Sequence, residues 1–320
     1  MSSLFVTLEA IRDAAQALRG SIRRTPLIDV QLTHGRPLLL KCENLQLGGA
    51  FKIRGALNLI GRLTAREARR GVITYSSGNH GLAVALAAQR AGAPAVVVMP
   101  ATAPAFKMAA VRASGAEVIV EGTTSMERRS RAEAEAAARG VTMVPPFDHP
   151  AIIAGQGTIG LELVDERPDL AEVWVPIGGG GLISGIAAAV KRLSPSTRVV
   201  GVEPEGAAKM TASLEARRPV QLVRASSIAD GLIPVRPGDL TFAHVCEFVD
   251  EIVTVTDDEI VRAVGRMFAD ARLVVEPSGA AAYAALTRAR EAGTAQVTAA
   301  AIVSGGNIGA GAWARLVGQA

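Results

Sequence analysis

Apolar positions along the chain fall into two alternating patterns: short uninterrupted runs, and longer stretches in which apolar residues recur every three or four positions. The runs are LLLKCE (38–43), VITYS (72–76), AVVVM (95–99), EVIV (117–120), VTMV (141–144), EVWVPI (172–177), RVVGVE (198–203), EIVTV (251–255) and VTAAAIV (297–303). Runs this short with little alternation suit strands buried on both faces, and helix-period stretches of about 10 to 15 residues between them make the βαβ pattern of a mostly parallel sheet. Nine strands are too many for one small unit, and the proline-dense VPPFDHP (144–150) is the best boundary. The expected organisation is an α/β protein with a small domain over 52–146 and a large domain built from 1–51 and 147–320. Near the start, LFVTLEAIRDAAQALRG lacks a basic stretch followed by a long apolar run, so it reads as a capped amphipathic helix with Leu8, Ile11, Ala15 and Leu18 inward.

Composition narrows the function. The 320 residues are 49% hydrophobic and 20% charged, enough apolar content for two cores and unlike a disordered chain. Lysines and arginines number 34 against 30 acids, and the arginines are scattered among the acids, so a nucleic-acid partner is not expected. Aromatic residues, at 3%, offer few stacking platforms. The one local basic cluster, Arg66 to Arg70, reads as a solvated helix end before Gly71. Cys42 and Cys246 belong to no CxxC pair, which argues against a disulfide scaffold or thiolate metal site and suits a reducing cytoplasm. No stretch reaches the roughly 18 apolar residues of a membrane span.

Three strand-to-helix junctions carry candidate chemistry. In VWVPIGGGGLISG (173–185) an apolar strand meets four glycines and then a helix-compatible stretch. Glycines let backbone N–H groups approach an anion, and the helix start adds the positive end of its dipole, so this is a main-chain phosphate cradle; a flexible turn is the competing reading. Ile183 stands where a G-x-G-x-x-G fingerprint needs glycine, and no P-loop occurs. In TYSSGNHGLAVALAAQ (74–89), Ser76, Ser77 and Asn79 can cap a helix or present donors to a carboxylate, with His80 alone more often structural. In AIVSGGNIGAGAW (301–313), Ser304 and two glycines suggest close approach of a ligand to the backbone. Against these, Lys52 in GGAFKIRGA sits between Phe51 and Ile53. A phosphate cradle, a carboxylate grip and a semi-buried amine together are what pyridoxal phosphate chemistry requires, whereas Lys52 alone would read as a surface residue.

The motifs FKIRGA, SSGNHG, IAGQGT, GGGGLISG and SGGN, in this order, resemble the fold type II pyridoxal phosphate enzymes, in particular the threonine/serine dehydratase and serine racemase branch. The match runs from RRTPL at 23 to SGGN at 304. It implies a two-domain, three-layer α/β/α fold with mostly parallel sheets, like the tryptophan synthase β chain, and a homodimer that acts on a small amino acid in the cytoplasm. By resemblance, Lys52 is the Schiff-base lysine, Phe51 packs beside the pyridine ring, Asn79 meets the ring hydroxyl oxygen, and Gly178, Gly179, Gly180, Gly181 and Leu182 hold the phosphate. Ser304 meets the pyridine nitrogen and Glu276 lies near the ring, although Glu276 also reads as a carboxylate at the start of a helix. A hydroxyl at the nitrogen makes the ring a weaker electron sink than an aspartate would, which suits expulsion of a β-hydroxyl better than transamination. Ser76, Ser77, Gly78, Asn79 and His80 would hold the substrate carboxylate, with Lys52 taking the α-proton. Ser77 matches the residue that in racemases works from the opposite face.

The resemblance thus implies a dehydratase, or ammonia-lyase, for a β-hydroxy L-amino acid such as L-threonine or L-serine, giving a 2-oxo acid and ammonia. A phenylserine or 3-hydroxyaspartate dehydratase, a serine racemase, a β-replacing synthase and a silent ligand-binding module on the same fold are the alternatives. Lack of a further C-terminal segment gives the look of the unregulated catabolic type. Three positions depart from the family pattern. Leu82 replaces a frequent glutamine and His149 a common acid, which reshapes the expected pocket around the substrate's β-substituent. In VEPEGAAKM, Glu203 and Ala207 keep a divalent-cation pattern while Lys209 stands where a second acid belongs, so no metal is expected there and the Lys209 ammonium is expected to neutralise Glu203.

Overall fold

The computed structural model describes residues 5–30, 38–294 and 296–319. Helix α1 (Leu8–Leu18) starts where the Thr7 side chain accepts from the Ala10 N–H, and it buries Ile11, Ala14 and Leu18. Ala14, not Ala15, lies on the fully buried stripe, because the i, i+3, i+7 spacing from Ile11 selects it. Strands β1 (Leu27–Val30) and β2 (Leu38–Cys42) follow, then helix α2 (Lys52–Ile60).

A βα alternation comes next: α3 (Ala65–Arg70), β3 (Val72–Tyr75), α4 (Asn79–Ala91), β4 (Ala95–Met99), α5 (Ala105–Ala113), β5 (Glu117–Val120), α6 (Ser125–Arg139) and β6 (Thr142–Met143). Its four strands form one all-parallel sheet in the order β5-β4-β3-β6. The remainder runs α7 (Pro150–Glu166), β7 (Glu172–Pro176), α8 (Gly181–Leu193), β8 (Arg198–Pro204), α9 (Lys209–Glu215), α10 (Asp239–Phe248), β9 (Glu251–Val255), α11 (Asp257–Ala271), α12 (Pro277–Glu291), β10 (Ala299–Val303) and α13 (Ala310–Val317). These strands, with β1 and β2, make a second sheet in the order β1-β2-β10-β7-β8-β9, parallel except for the β1–β2 pair. The molecule is therefore mixed α/β with mostly parallel sheets.

Central strands β2, β4, β7 and β10 are buried at every position, as the unbroken apolar runs require. Two strands fall two residues short of their apolar runs: VTMV contributes only 142–143 and VTAAAIV only 299–303. Strand β1 had no such run, since Asp29 faces solvent on a four-residue edge strand. Separate apolar clusters fill the space under each sheet: Leu38, Val200, Val264 and Tyr283 in one, Leu39, Val173, Ile186 and Ile302 in another, and Ile53, Val84, Val97 and Ile152 beside the four-stranded sheet. The strand C-termini point the three glycine- or serine-rich junctions toward common ground, as parallel sheets do.

Candidate active site

Backbone pairing assembles the site before any side chain is considered. Ala50 bridges Gly305, the Phe51 N–H donates to the Ser304 carbonyl at 3.1 Å, and the Gly306 N–H to the Gly49 carbonyl at 2.9 Å. The segment before Lys52 is thus stitched to the end of β10. Lys52 begins α2, partly buried, with its Nζ donating to the Pro146 carbonyl at 2.7 Å and lying 5.1 Å from the centre of the Phe51 ring. Burial alone pushes its amine down to about 8, with no carboxylate among the described residues paired with it.

Asn79 opens α4 directly after β3. Its Oδ1 accepts from Asn307 Nδ2 at 2.9 Å, and its Nδ2 donates to Glu276 Oε1 at 2.5 Å. Asn307 Nδ2 also donates to the Gly48 carbonyl at 2.7 Å, so the amide that faces the site is oriented from behind. Glu276 precedes α12, and its carboxyl is pushed up to about 7 by burial and then by the Asp230 charge, against the pull of Lys107 and the Asn79 bond. Its other oxygen, Oε2, is buried without a partner among the described residues. Ser304 is buried at the end of β10, with Oγ donating to the Ser278 carbonyl at 3.2 Å.

Two helix starts offer main-chain donors. At α8 the first intrahelical bond runs from the Ser184 N–H to the Gly180 carbonyl, leaving the preceding N–H groups of Gly181, Leu182 and Ile183 without helical partners. The four glycines are required by crowding. A Cβ on Gly178 would lie 2.7 Å from the Gly231 carbonyl, one on Gly179 would lie 2.2 Å from the Phe147 ring, and Gly180 has φ near +99°. At α4 the first such bond is from Leu82 to Gly78, which leaves Asn79, His80 and Gly81 as free N–H donors. Gly78 behaves otherwise than expected: its N–H already donates to Ser76 Oγ at 3.1 Å, so the two residues turn the loop instead of both facing a ligand. Ser77 and Asn79 are partly buried beside them.

The His80 ring is structural. Its Nε2 lies 3.1 Å from the Val144 carbonyl, and burial, followed by the Lys52 charge, pushes it down to about 3, so it stays neutral. Only its backbone N–H is available to an anion. His149 caps α7, its Nδ1 accepting from the Ala151 N–H at 3.1 Å, and Leu82 packs toward Gly48 among the apolar residues under α4. Glu203, Ala207 and Lys209 meet one another, with Lys209 Nζ 3.0 Å from Glu203 Oε1 and donating to the Ala207 carbonyl at 3.0 Å.

Four residues absent from the expected site border it. Phe147 lies across Gly179 and Gly181; Pro146 receives Lys52; and Lys107, buried on α5, packs on Gly78 while its Nζ pairs with Asp230 at 2.8 Å. Only VPPFDHP carried a signal for the first two, and it read as a boundary. An orphaned carboxylate oxygen, a low-lying amine and two sets of helix-start donors around one space fit a cofactor bearing an aldehyde, a ring and a phosphate. Lys52 would hold the aldehyde carbon, Gly178 to Leu182 the phosphate, and Asn79, Ser304 and Glu276 the ring edge.

Residues 18–305 match the family model described as pyridoxal-phosphate dependent enzyme. The chain is 43% identical over 307 residues to an L-threonine ammonia-lyase of Thermotoga maritima, covering 95% of this chain and 76% of the relative. It is 38% identical over 311 residues to an L-threo-3-hydroxyaspartate ammonia-lyase of Saccharomyces cerevisiae, covering 96% and 95%. The solved structure of maize serine racemase superposes with a TM-score of 0.91 at 37% identity, covering 97% of this chain and 96% of that one.

Proposed function

The chain belongs to the pyridoxal-phosphate dependent enzymes, and from that premise we propose that it is an ammonia-lyase that removes the β-hydroxyl and amino groups of L-threonine or L-serine, releasing a 2-oxo acid and ammonia. The observation that carries the reading is the Lys52 amine, which has no counter-ion among the described residues and lies at the strand ends that present both helix starts. The relatives named above as ammonia-lyases support elimination over replacement.

Bound pyridoxal phosphate supplies an electron sink that makes the α-proton of an attached amino acid acidic. The chain's own groups do the rest. The N–H donors at the start of α4 and the hydroxyl of Ser77 receive the substrate carboxylate, which fixes the amino acid's orientation. Lys52, whose amine burial brings down to about 8, accepts the α-proton, since an amine of that pKa is a competent base at physiological pH. Asn79, held between Asn307 and Glu276, keeps one amide hydrogen for the ring oxygen. Ser77, on the racemase-like face, is the group through which the alternative activity, inversion at the α-carbon, would run.

The same reading takes residues 52–146 as a small domain and 1–51 with 147–320 as a large one, the two meeting at the site, in a cytoplasmic homodimer with a catabolic role. No helix among the described residues is long and apolar enough to cross a membrane. The test is 2-oxo acid release from protein supplied with pyridoxal phosphate and, separately, L-threonine, L-serine, L-threo-phenylserine and L-threo-3-hydroxyaspartate, with Lys52→Ala as control. Release that vanishes in the control identifies the side chain. No release from any of the four refutes the ammonia-lyase, and the chirality of recovered serine then decides for or against racemisation.

A further inference from the structure

Lys209 is fully buried at the first position of α9, and every polar neighbour it has is an acceptor. Its Nζ donates to the carbonyls of Ile177, Ala207 and Leu232 at 2.9, 3.0 and 3.0 Å, and lies 3.0 Å from Oε1 of the equally buried Glu203. A neutral amine would turn its lone pair toward one of these oxygens, so the arrangement demands the ammonium. Glu203 is itself saturated by the N–H groups of Met210 and Thr211 and by the Thr211 hydroxyl, each at 2.9 Å.

A buried ion pair is weak evidence for stability, since a well-packed apolar pair often does as well. What this one joins is more specific. Ile177 is the last residue before the glycine loop, and Leu232 closes the turn 230–232. Their neighbours Gly178 and Gly231 are in contact, close enough that a Cβ on Gly178 would lie 2.7 Å from the Gly231 carbonyl. The same turn carries Asp230, which pairs with Lys107 beside Gly78. One ammonium therefore fixes the spacing between the start of the phosphate cradle and the turn that faces the carboxylate loop.

We propose that Lys209 is a built-in cation acting as a positioning residue: it holds the backbone of Ile177 and Leu232 at the separation that aims the glycine-loop N–H groups at the cofactor phosphate. The proposal rests on the assignment of the glycine loop to that phosphate. Removing the side chain leaves one carboxylate and three carbonyl oxygens around a cavity, which is a donor set for a hard cation.

The test measures the dissociation constant for pyridoxal phosphate by titrating apo-protein, alongside the urea midpoint. Lys209→Met leaves Glu203 uncompensated and is expected to unfold easily, so the deciding variant is the double Glu203→Gln/Lys209→Met. It is expected to stay folded, with a urea midpoint below the parent's, while its dissociation constant rises about tenfold or more, because three backbone carbonyls lose their donor. Lys209→Ala leaves the same uncompensated Glu203, so it is folded and titrated in the presence of ammonium, methylammonium, K⁺ or Mg²⁺, any of which is expected to fill the vacated space and restore affinity, while the parent is indifferent. A folded double variant with affinity within about twofold of the parent, or Lys209→Ala unresponsive to all four cations, overturns the proposal. Gly179→Ala in the same titration separates the premise: if it weakens binding while the Lys209 variants do not, only the positioning role fails, and if it has no effect, the cradle assignment fails.

Discussion

Gly179→Ala is the sharpest perturbation the geometry offers. Gly179 is not among the glycines with positive φ, so its backbone tolerates alanine, and the effect comes from space alone. The new methyl would lie 2.2, 2.3 and 2.4 Å from Cδ1, Cε1 and Cγ of Phe147, where carbon atoms settle near 3.5 to 4 Å, so the ring must move by more than about 1 Å. Overpacking of this kind typically costs about 1–3 kcal/mol, which corresponds to a rise of about 5- to 150-fold in the dissociation constant for pyridoxal phosphate if the loop yields instead of the ring. Truncating the ring provides the check. Measured against Phe147→Ala alone, adding Gly179→Ala should cost almost nothing, because the clashing atoms are gone. Gly181→Ala is the contrasting case: its methyl would meet Phe147 at Cβ, Cα and the carbonyl oxygen, at 2.9, 3.0 and 3.1 Å, and Phe147→Ala keeps all three. Cofactor titration of the five variants therefore has an asymmetric expected pattern, with Gly179→Ala rescued and Gly181→Ala not. Unaltered binding by Gly179→Ala refutes the assignment of the cradle to the phosphate, and equal rescue of both refutes the packing of Phe147 on it.

The other expectations concern charge. Glu276, with its carboxyl raised from 4.5 to about 7, holds a proton in the folded state that the unfolded chain has lost, so apo-protein loses stability as the pH rises from about 4.5 to 7, by at most about 3 kcal/mol. Thermal melts across that range should flatten in Glu276→Gln, and Asp230→Asn should move the window downward; a parental slope in Glu276→Gln counts against the raised carboxyl. Capture of pyridoxal phosphate by apo-protein needs the unprotonated Lys52 amine, so its rate should be half-maximal near pH 8, and a midpoint near the ordinary 10.5 shows a solvated lysine. Arg54, fully buried, is held by Glu43 at 2.7 and 2.8 Å and by Glu162 at 2.6 and 3.0 Å. Arg54→Met should therefore lower stability by about 3–5 kcal/mol in urea unfolding, and a loss under about 1 kcal/mol means that the buried carboxylates relax without their partner.

The strands and helix starts were legible because they depend on local pattern: an apolar run such as AVVVM is a central strand almost wherever it is placed, and β1 escaped notice because an edge strand with Asp29 outward needs no such run. The candidate site was legible where glycine or serine marks a junction, and at Phe51, Lys52 and Glu276 through the family resemblance. Lys107 and Asp230 are 123 positions apart, and neither stands in a stretch that looks unlike a solvated surface. Yet one compositional signal was available. The chain has five lysines, at positions 41, 52, 107, 191 and 209, beside twenty-nine arginines. Exposed positions such as Arg129, Arg131 and Arg139 pair with glutamates across open helix faces, a task for which the guanidinium fork is suited. The lysines are placed otherwise. Lys41 and Lys209 are fully enclosed, Lys107 is buried on Gly78, Lys52 has no counter-ion among the described residues, and Lys191 closes on Asp250 and the Thr197 carbonyl. A compact ammonium with three rotatable donors can reach converging carbonyls, or lose its proton, where a planar guanidinium can do neither. In a chain whose surface cations are so consistently arginine, a lysine marks a place where the interior needs a point charge or an amine, and that inference could have drawn attention to Lys107 and to the staple formed by Lys209 as directly as the glycines did to the cradle.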